Sequence, residues 1–191
     1  MIKSFIKQSN NFKAITAMLL AVLCVTIMSV QAKLVGIEYH AAQITFVRAI
    51  VVLIFLLPLI YKLGGLNFLK TNKPILHFFR GLAGLTGNIM FFLAFQRLPV
   101  ADVTVISQAV PIFASILAII FLKEIIGWRR WLAIIVGFLG VIIAINPTGQ
   151  IAVASIYALG GTIMWSVTII FLRLLGSTEH PVKTVFYFML V

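Results

Sequence analysis

Charged residues are scarce in this sequence, and acidic residues are the scarcest. Only 10% of the 191 residues are charged, and Asp and Glu number 4 against 15 Lys and Arg. A soluble globular domain carries about 25% charged residues. The single cysteine, Cys24, excludes an intrachain disulfide. These absences exclude an ordinary soluble domain, and the 62% of residues that are hydrophobic need an apolar environment.

Long uncharged segments show what that environment is. The longest, 131–172, is interrupted only by the breaker cluster 146–150. About 20 apolar residues, at a rise of 1.5 Å each, cross a hydrocarbon core of about 30 Å. The sequence therefore predicts an all-α polytopic transmembrane helix bundle. The predicted spans are 14–32, 42–61, 75–96, 103–122, 131–146 and 152–172, and a seventh begins near Val182.

Basic residues are divided unequally between alternate loops. If segment 1–13 is cytoplasmic, the cytoplasmic segments hold 12 basic residues and the outer loops hold only Lys33 and Arg97. Such an excess marks the cytoplasmic side of a membrane protein. We therefore expect a multi-pass protein with a cytoplasmic N-terminus, in the inner membrane if the source is bacterial. The net charge of +11 then faces anionic lipid, and we expect no nucleic-acid partner.

An internal repeat appears when the sequence is shifted by 140 residues. The shift pairs Gly36 with Gly176 and His40 with His180. The first copy has an odd number of helices, so the second must enter the membrane from the opposite side. Secondary transporters use such inverted repeats and bind solute between them near the midplane. The predicted organisation is a cytoplasmic N-terminal segment, a first five-helix repeat and a partial second repeat, at 1–13, 14–146 and 152–191.

The last apolar run, 184–191, is too short to cross a bilayer. In the simplest interpretation the chain stops inside a helix and represents little more than half of a carrier. The expected partners are then the lipid bilayer, a small-molecule substrate, and either a second copy or the missing C-terminal half. A short tail lying on the membrane surface is the alternative interpretation.

Motifs in the third to fifth spans carry a family resemblance. They are Arg80-Gly81-Leu82, Phe95-Gln96-Arg97-Leu98-Pro99-Val100-Ala101-Asp102, Gln108-Ala109-Val110-Pro111-Ile112-Phe113, Leu122-Lys123-Glu124, and the glycines 137 and 140. With them the chain resembles the drug/metabolite transporter superfamily, and most of all its EamA type. Complete members have ten helices in two five-helix repeats. The resemblance implies transport of small metabolites, amino acids, sugars or drugs, and some similar carriers take up S-adenosylmethionine.

The repeat and the resemblance together predict a secondary transporter that moves a small metabolite by alternating access. The solute is an amino acid, a nucleoside-type or other polar or anionic compound, or a drug. A non-transporting membrane subunit or degenerate fragment of such a carrier is the alternative. The sequence shows no phosphate-binding glycine loop, metal-ligand cluster or paired nucleophile and base. We therefore expect no enzymatic activity, no cofactor and no metal.

Arg48 is the main candidate for solute binding. Counted from Ala42 at 1.5 Å per residue, it lies about 9 Å inside the outer end of its span. An arginine there costs about 3 kcal/mol unless it reaches the interface or meets a partner. It is interpreted either as a snorkelling residue or as an anion-binding group in a central cavity, a position where arginine is common in the resembled family. Candidate neighbours are Asn88, Gln43, Trp165 and Ser166.

Pro111 is the second unusual feature inside a span. It removes one backbone hydrogen bond and weakens the helix locally. Membranes tolerate such a break only where protein or a wet cavity satisfies the backbone. Ser107, Gln108 and Ser115 lie nearby and form a polar patch with it. The patch is predicted either to line a cavity or to mark a static kink between helices.

Small residues and one acidic residue complete the candidates. Small side chains let membrane helices approach closely, so we expect two packing faces. One consists of Gly81, Gly84 and Gly87, and the other of Ala133, Gly137, Gly140 and Ala144. Glu124 is predicted to fix the turn after the fourth span through an ion pair near Arg129 and Arg130, with a gating role as the alternative. The three histidines lie at span ends, where interfacial hydrogen bonding is expected.

Overall fold

The computed structural model describes the backbone of residues 2–36, 38–124, 127–145, 150–176 and 178–191. Side chains are described in the same ranges except at 2–11, 13, 144–145 and 150–153. The described residues form α-helices and one short 3-10 helix, Gly65–Asn67, without a strand. The α-helices are α1 (Ile2–Val35), α2 (Ala41–Lys62), α3 (Pro74–Arg97), α4 (Val100–Ser107), α5 (Val110–Leu122), α6 (Trp128–Ile145), α7 (Gln150–Gly176) and α8 (Pro181–Leu190).

Five segments of the described chain are long and apolar enough to cross a membrane. They are Ala14–Val35, Ala41–Lys62, Pro74–Arg97, Val100–Leu122 and Ala154–Gly176. This confirms the predicted all-α polytopic bundle. The predicted span 131–146 coincides with α6, whose described side chains end at residue 143. Its crossing of the membrane stays a prediction.

α3 is the centre of the bundle. It packs most extensively along α7 and also touches α1, α2, α4 and α8. Its C-terminal half joins α1, α2, α4 and α7 in one buried cluster around Phe92 and Phe95. α1 and α2 instead expose large apolar side chains over most of their length, among them Leu20 and Phe55. Apolar exposure of this extent fits a surface that faces lipid.

Glycines on α3 let two neighbouring helices approach closely. A Cβ atom added at Gly84 would overlap the ring of Phe188 on α8. One added at Gly81 would come within 2.6 Å of the Cβ atom of Val191. Towards α7, a Cβ at Gly87 would lie 3.3 Å from that of Met164 and 3.4 Å from the backbone. The structure thus places all three glycines of the predicted α3 face at helix contacts.

The predicted packing face of α6 is only partly used. A Cβ at Gly137 would come within 2.7 Å of Ile112 on α5, but one at Gly140 would meet no described atom within 4 Å. Ala133 is exposed, and the side chain of Ala144 lies outside the described residues. The expected contact therefore fails at Ala133 and Gly140. The reason is that α6 packs on α4 and α5, so no described helix covers the side that carries these two residues.

The predicted fourth span is divided into two helices. α4 ends at Ser107, and α5 begins at Val110 with Pro111 in its first turn. This agrees with the expected effect of a proline that cannot donate a backbone hydrogen bond. α7 packs against the break, where the hydroxyl of Ser166 donates to the Val110 carbonyl at 3.1 Å.

The turns that follow α1 and α7 have the same hydrogen bonding. The backbone N–H groups three and four residues after Val35 both donate to its carbonyl at 3.1 Å. The corresponding groups after Leu175 donate to its carbonyl at 3.0 and 2.9 Å. The two positions differ by 140 residues, which is the offset of the predicted repeat.

The two helices that follow these turns also begin alike. His40 and His180 have φ/ψ angles of −69/143° and −69/140°, and each accepts a hydrogen bond from the N–H two residues later. Both Nδ1 atoms lie 3.3 Å from that nitrogen. The structure therefore repeats this element as the sequence pairing of His40 with His180 implies. The inverted arrangement of two complete repeats stays a prediction.

Candidate functional site

A cavity of about 410 Å³ lies between α2, α3 and α8. Arg48 on α2 and Asn88 on α3 both line it, so the structure brings these two predicted residues together. Thr45 lines it as well, one turn before Arg48 on the same face of α2. Most of the remaining wall is apolar and includes Phe46 and Phe188. A few polar groups in an apolar cavity of this size are typical of a small-molecule site.

The Arg48 guanidinium has few partners within the described part of the chain. Its Nη1 lies 3.7 Å from the sulfur of Met28, and its Cζ lies 6.0 Å from the ring centre of Phe92. Its Nε is buried without a hydrogen-bond partner among the described residues. The ion pairs that those residues form all involve other cations. A guanidinium has five N–H groups, so most of them are left to bind an anion.

Asn88 and Thr45 are held differently from Arg48. Thr45 is buried, and its hydroxyl donates to the Ala41 carbonyl at 2.9 Å. Asn88 is buried, and it lines the cavity with residues of α2 and α8. Gln43, the other expected neighbour of Arg48, accepts a hydrogen bond from the His40 N–H and completes the cap of α2. The expectation that Gln43 belongs to the cavity is therefore wrong.

The polar patch at the α4–α5 break is not brought to the Arg48 cavity. Ser107 donates to the Thr104 carbonyl and Ser115 to the Pro111 carbonyl, both at 2.7 Å. Gln108 and Pro111 are exposed. These hydroxyls satisfy the backbone of their own helices, as serine does in helix interiors. A role of the patch in solute binding stays a prediction.

Neither of the two candidates on α7 lines the cavity. The indole of Trp165 packs edge-on against Phe188, with ring centres 6.2 Å apart. Ser166 is buried and donates to the carbonyls of Thr162 and Val110. Trp165 therefore supports a cavity wall, while Ser166 joins α7 to the α4–α5 break.

A cluster of charged groups fastens the loop before α3 to the start of α8. Glu179 accepts a hydrogen bond from Thr71 at 2.6 Å and pairs with Lys183 at 2.8 Å. Lys183 also donates to the Lys70 carbonyl at 2.7 Å. Burial raises the pKa of the Glu179 carboxyl, but the hydrogen bonds and positive charge of Lys183 and the hydroxyl of Thr71 outweigh it, and the pKa is lowered. We call Thr71, Glu179 and Lys183 the Glu179 cluster.

Two buried polar residues of α3, Arg80 and His77, lie near this cluster, and the sequence analysis did not include them among the site candidates. Arg80 is buried, and its guanidinium donates to the Thr184 carbonyl of α8 at 2.8 Å. His77 is 1% exposed, stacks on Tyr187, and has no hydrogen bond at either ring nitrogen among the described residues. The expectation of interfacial hydrogen bonding is thus wrong for His77. The spacing of these two residues could have identified them, because positions 77, 80 and 84 share one helix face with the candidate Asn88.

Glu124 pairs with a different helix from the one expected. Its Oε1 lies 3.8 Å from Nη1 of Arg173 on α7. Arg130 lines a second cavity, of about 320 Å³, together with these two residues and Ser115. Glu124 therefore connects the end of α5 to α7. The described residues contain no group of three or more His, Cys, Asp or Glu that could hold a metal ion.

Comparison with known proteins decides the family. The EamA-like transporter family matches residues 12–146, which include Arg48 and Asn88. The chain belongs to the EamA-like transporter family. No solved structure matches this EamA chain.

Several curated relatives are named as transporters. The chain is 38% identical over 121 residues to an S-adenosylmethionine uptake transporter of Rickettsia bellii, covering 63% of this chain and 41% of that protein. It is 25% identical over 178 residues to a riboflavin transporter of Vibrio cholerae (91% and 60%). It is 27% identical over 184 residues to the pseudopaline exporter CntI of Pseudomonas aeruginosa (92% and 63%). This EamA chain thus matches about two fifths to three fifths of the length of these relatives.

Proposed function

We propose that this chain forms the first repeat, and the start of the second, of a secondary transporter that binds a small metabolite by an anionic group, a carboxylate or phosphate, at Arg48. Alternating access then carries the solute across the membrane. The family and the named relatives are transporters and not enzymes, and we extend that to this chain. The proposal includes no cofactor.

The observation that carries the proposal is the state of Arg48. Placing an arginine within a span costs about 3 kcal/mol of insertion free energy. The cost is largest when no opposite charge pairs with the guanidinium. The Arg48 guanidinium lines a cavity, and no carboxylate of the described chain pairs with it. A solute carboxylate or phosphate would supply the missing charge, with a planar guanidinium suited to bind two oxygens.

The neighbours of Arg48 favour a solute that has, besides a negative group, a hydrogen-bonding group and an apolar or aromatic part. The Asn88 amide can donate or accept a hydrogen bond, and the rings of Phe46 and Phe188 offer apolar faces. S-adenosylmethionine, which has a carboxylate and an aromatic base, meets these requirements. It is therefore the first compound to test, since a relative that takes it up matches this chain.

We further propose a cytoplasmic N-terminus, on the distribution of basic residues between loops, and location in the inner membrane if the source is bacterial. A second half is part of the proposal, because inverted-repeat carriers build their site between two five-helix units. That half is a second copy of the chain or a separate C-terminal segment. The alternative is a non-transporting membrane subunit or degenerate fragment, which an unpaired cavity arginine does not favour.

Binding to the purified chain in lipid nanodiscs tests the role of Arg48. S-adenosylmethionine and its decarboxylated analogue differ in the carboxylate alone. We expect the wild type to bind the carboxylate form more tightly, by about 10-fold, which corresponds to 1.4 kcal/mol. Arg48→Ala should remove that preference, and Arg48→Lys should restore only part of it, because a point charge lacks the planar fork.

The control for this measurement is Arg173→Ala. Arg173 is a cation of α7 that pairs with Glu124 and does not line the Arg48 cavity. It should leave the preference unchanged. Equal binding of the two compounds by wild type and Arg48→Ala would contradict carboxylate binding at Arg48.

A further inference from the structure

One aromatic side chain of α8 forms part of the floor of the Arg48 cavity. Phe188 lines the cavity and contacts two other helices of the bundle, α3 and α7. Its ring lies against Gly84 of α3, packs edge-on against Trp165 of α7, and lies 4.7 Å from the guanidinium carbon of Arg80.

The sequence makes room for this ring. A Cβ atom at position 84 would overlap Phe188, so any residue other than glycine would displace the ring from α3. Gly84 therefore forms a notch in α3 that holds the Phe188 ring. Along α3 this notch lies between Arg80 on one side and Asn88 on the other, about one turn from each.

The contacts on either side of the ring differ in kind. On the Asn88 side lies the Arg48 cavity, whose wall is mostly apolar. On the Arg80 side lie buried polar groups that lead towards the Glu179 cluster. Arg80 donates to the Thr184 carbonyl, one turn before Phe188, and His77 stacks on Tyr187. The Glu179 cluster then holds α8 to the loop before α3.

We propose that Phe188, seated in the Gly84 notch over Arg80, is the constriction that separates the Arg48 cavity from the Glu179 cluster and the membrane face on which that cluster lies. The face of the Arg80 guanidinium favours an aromatic ring at this position. The Glu179 cluster keeps α8 in the position that holds the ring in the notch. The inference rests on the proposed function of the Arg48 cavity as the solute site.

Cysteine accessibility tests the constriction without any transport measurement. The reporter is Ala49→Cys, a small residue of the cavity wall, in a Cys24→Ser background that removes the only native cysteine. Vesicles expose the Glu179 face to a membrane-impermeant thiol reagent. We expect slow labelling of this reporter and fast labelling of Asn72→Cys, an exposed position of the loop before α3 on the same face. Fast labelling of both with Phe188 intact would overturn the proposal, and this comparison needs no change at Phe188.

Removal of the ring supplies the second measurement. Phe188→Ala should raise the labelling rate of Ala49→Cys from the Glu179 face at least several-fold, and Phe188→Leu should have a smaller effect. The matched control is Phe186→Ala, which removes a ring of α8 that packs on Tyr187 and does not line the cavity. An unchanged rate in Phe188→Ala, or an equal increase in Phe186→Ala, would overturn the proposal.

The two proposals fail separately. Loss of the carboxylate preference in Arg48→Ala with no effect of Phe188→Ala on labelling would refute the constriction and leave the solute site. An effect of Phe188→Ala on labelling without any carboxylate preference at Arg48 would support the constriction and refute carboxylate binding at Arg48.

Discussion

At the scale of single residues, two arginines inside the bundle have different environments. Arg80 donates to a backbone carbonyl and lies under the Phe188 ring. The Arg48 guanidinium lies next to the sulfur of Met28 and farther from the ring of Phe92. Arg48 could be found from the sequence, because a charge inside an apolar run is conspicuous. The burial of Arg80 could not, since it depends on α8, which begins about 100 residues later in the chain.

Glu179 gives a prediction with a defined pH dependence. Its pKa in the folded chain is lower than the ordinary value of 4.5. The charged form is therefore favoured by folding, and its stabilising effect is present above the ordinary pKa and lost as pH falls through the folded-state pKa. Glu179→Gln should lower the free energy of unfolding at neutral pH by about 1–3 kcal/mol, since Lys183 loses its charged partner.

Thermal unfolding of the purified chain in detergent, followed from neutral to acidic pH, checks this expectation. The difference between wild type and Glu179→Gln should shrink towards zero at the acidic end. Glu38→Gln is the control, because Glu38 is exposed and lies in the equivalent turn after α1. A difference for Glu179→Gln that persists unchanged at low pH would show that the carboxylate charge is not responsible.

At the scale of helices, the sequence predicted where elements lie better than what they touch. Apolar length located the spans, and Pro111 located the break between α4 and α5. Both follow from local chemistry. The contacts of the small residues depend on which helix lies opposite, so Gly87 meets α7 whereas Gly140 meets no described atom within 4 Å. Helix periodicity alone contains no information about that neighbour.

The two glycines give a matched pair of substitutions. Gly87→Ala should destabilise the bundle, because its Cβ would lie 3.3 Å from Met164 and 3.4 Å from the α7 backbone. Gly140→Ala should be neutral or stabilising by up to about 1 kcal/mol, the helix-propensity gain of alanine over glycine. Thermal unfolding in detergent compares them. Equal effects of the two changes would mean that close packing of α3 on α7 does not stabilise the chain.

At the scale of the whole molecule, α2, α3 and α8 enclose the cavity that we propose as one binding wall of a carrier. α8 begins with the same turn and histidine cap as α2, at the offset of 140 residues that the sequence pairing gave. The sequence could supply that offset because ordered matches at Gly and His arise by chance less often than matches between Leu residues in apolar sequence. The cavity between α2, α3 and α8 could not be predicted, since its shape depends on helix packing. In the proposed carrier a second half would complete it.

Metabolite profiling of cells tests the anionic solute site most directly, because it assumes no particular solute. Cells would express the chain alone, the chain together with a second repeat, or the Arg48→Ala chain together with a second repeat. Membrane abundance would be equal in all three. If Arg48 binds an anionic group, the solutes whose uptake or efflux changes with the complete carrier should bear a carboxylate or phosphate, and Arg48→Ala should abolish those changes. Changes confined to uncharged solutes, or changes that persist in Arg48→Ala, would contradict a carrier that binds its solute through Arg48.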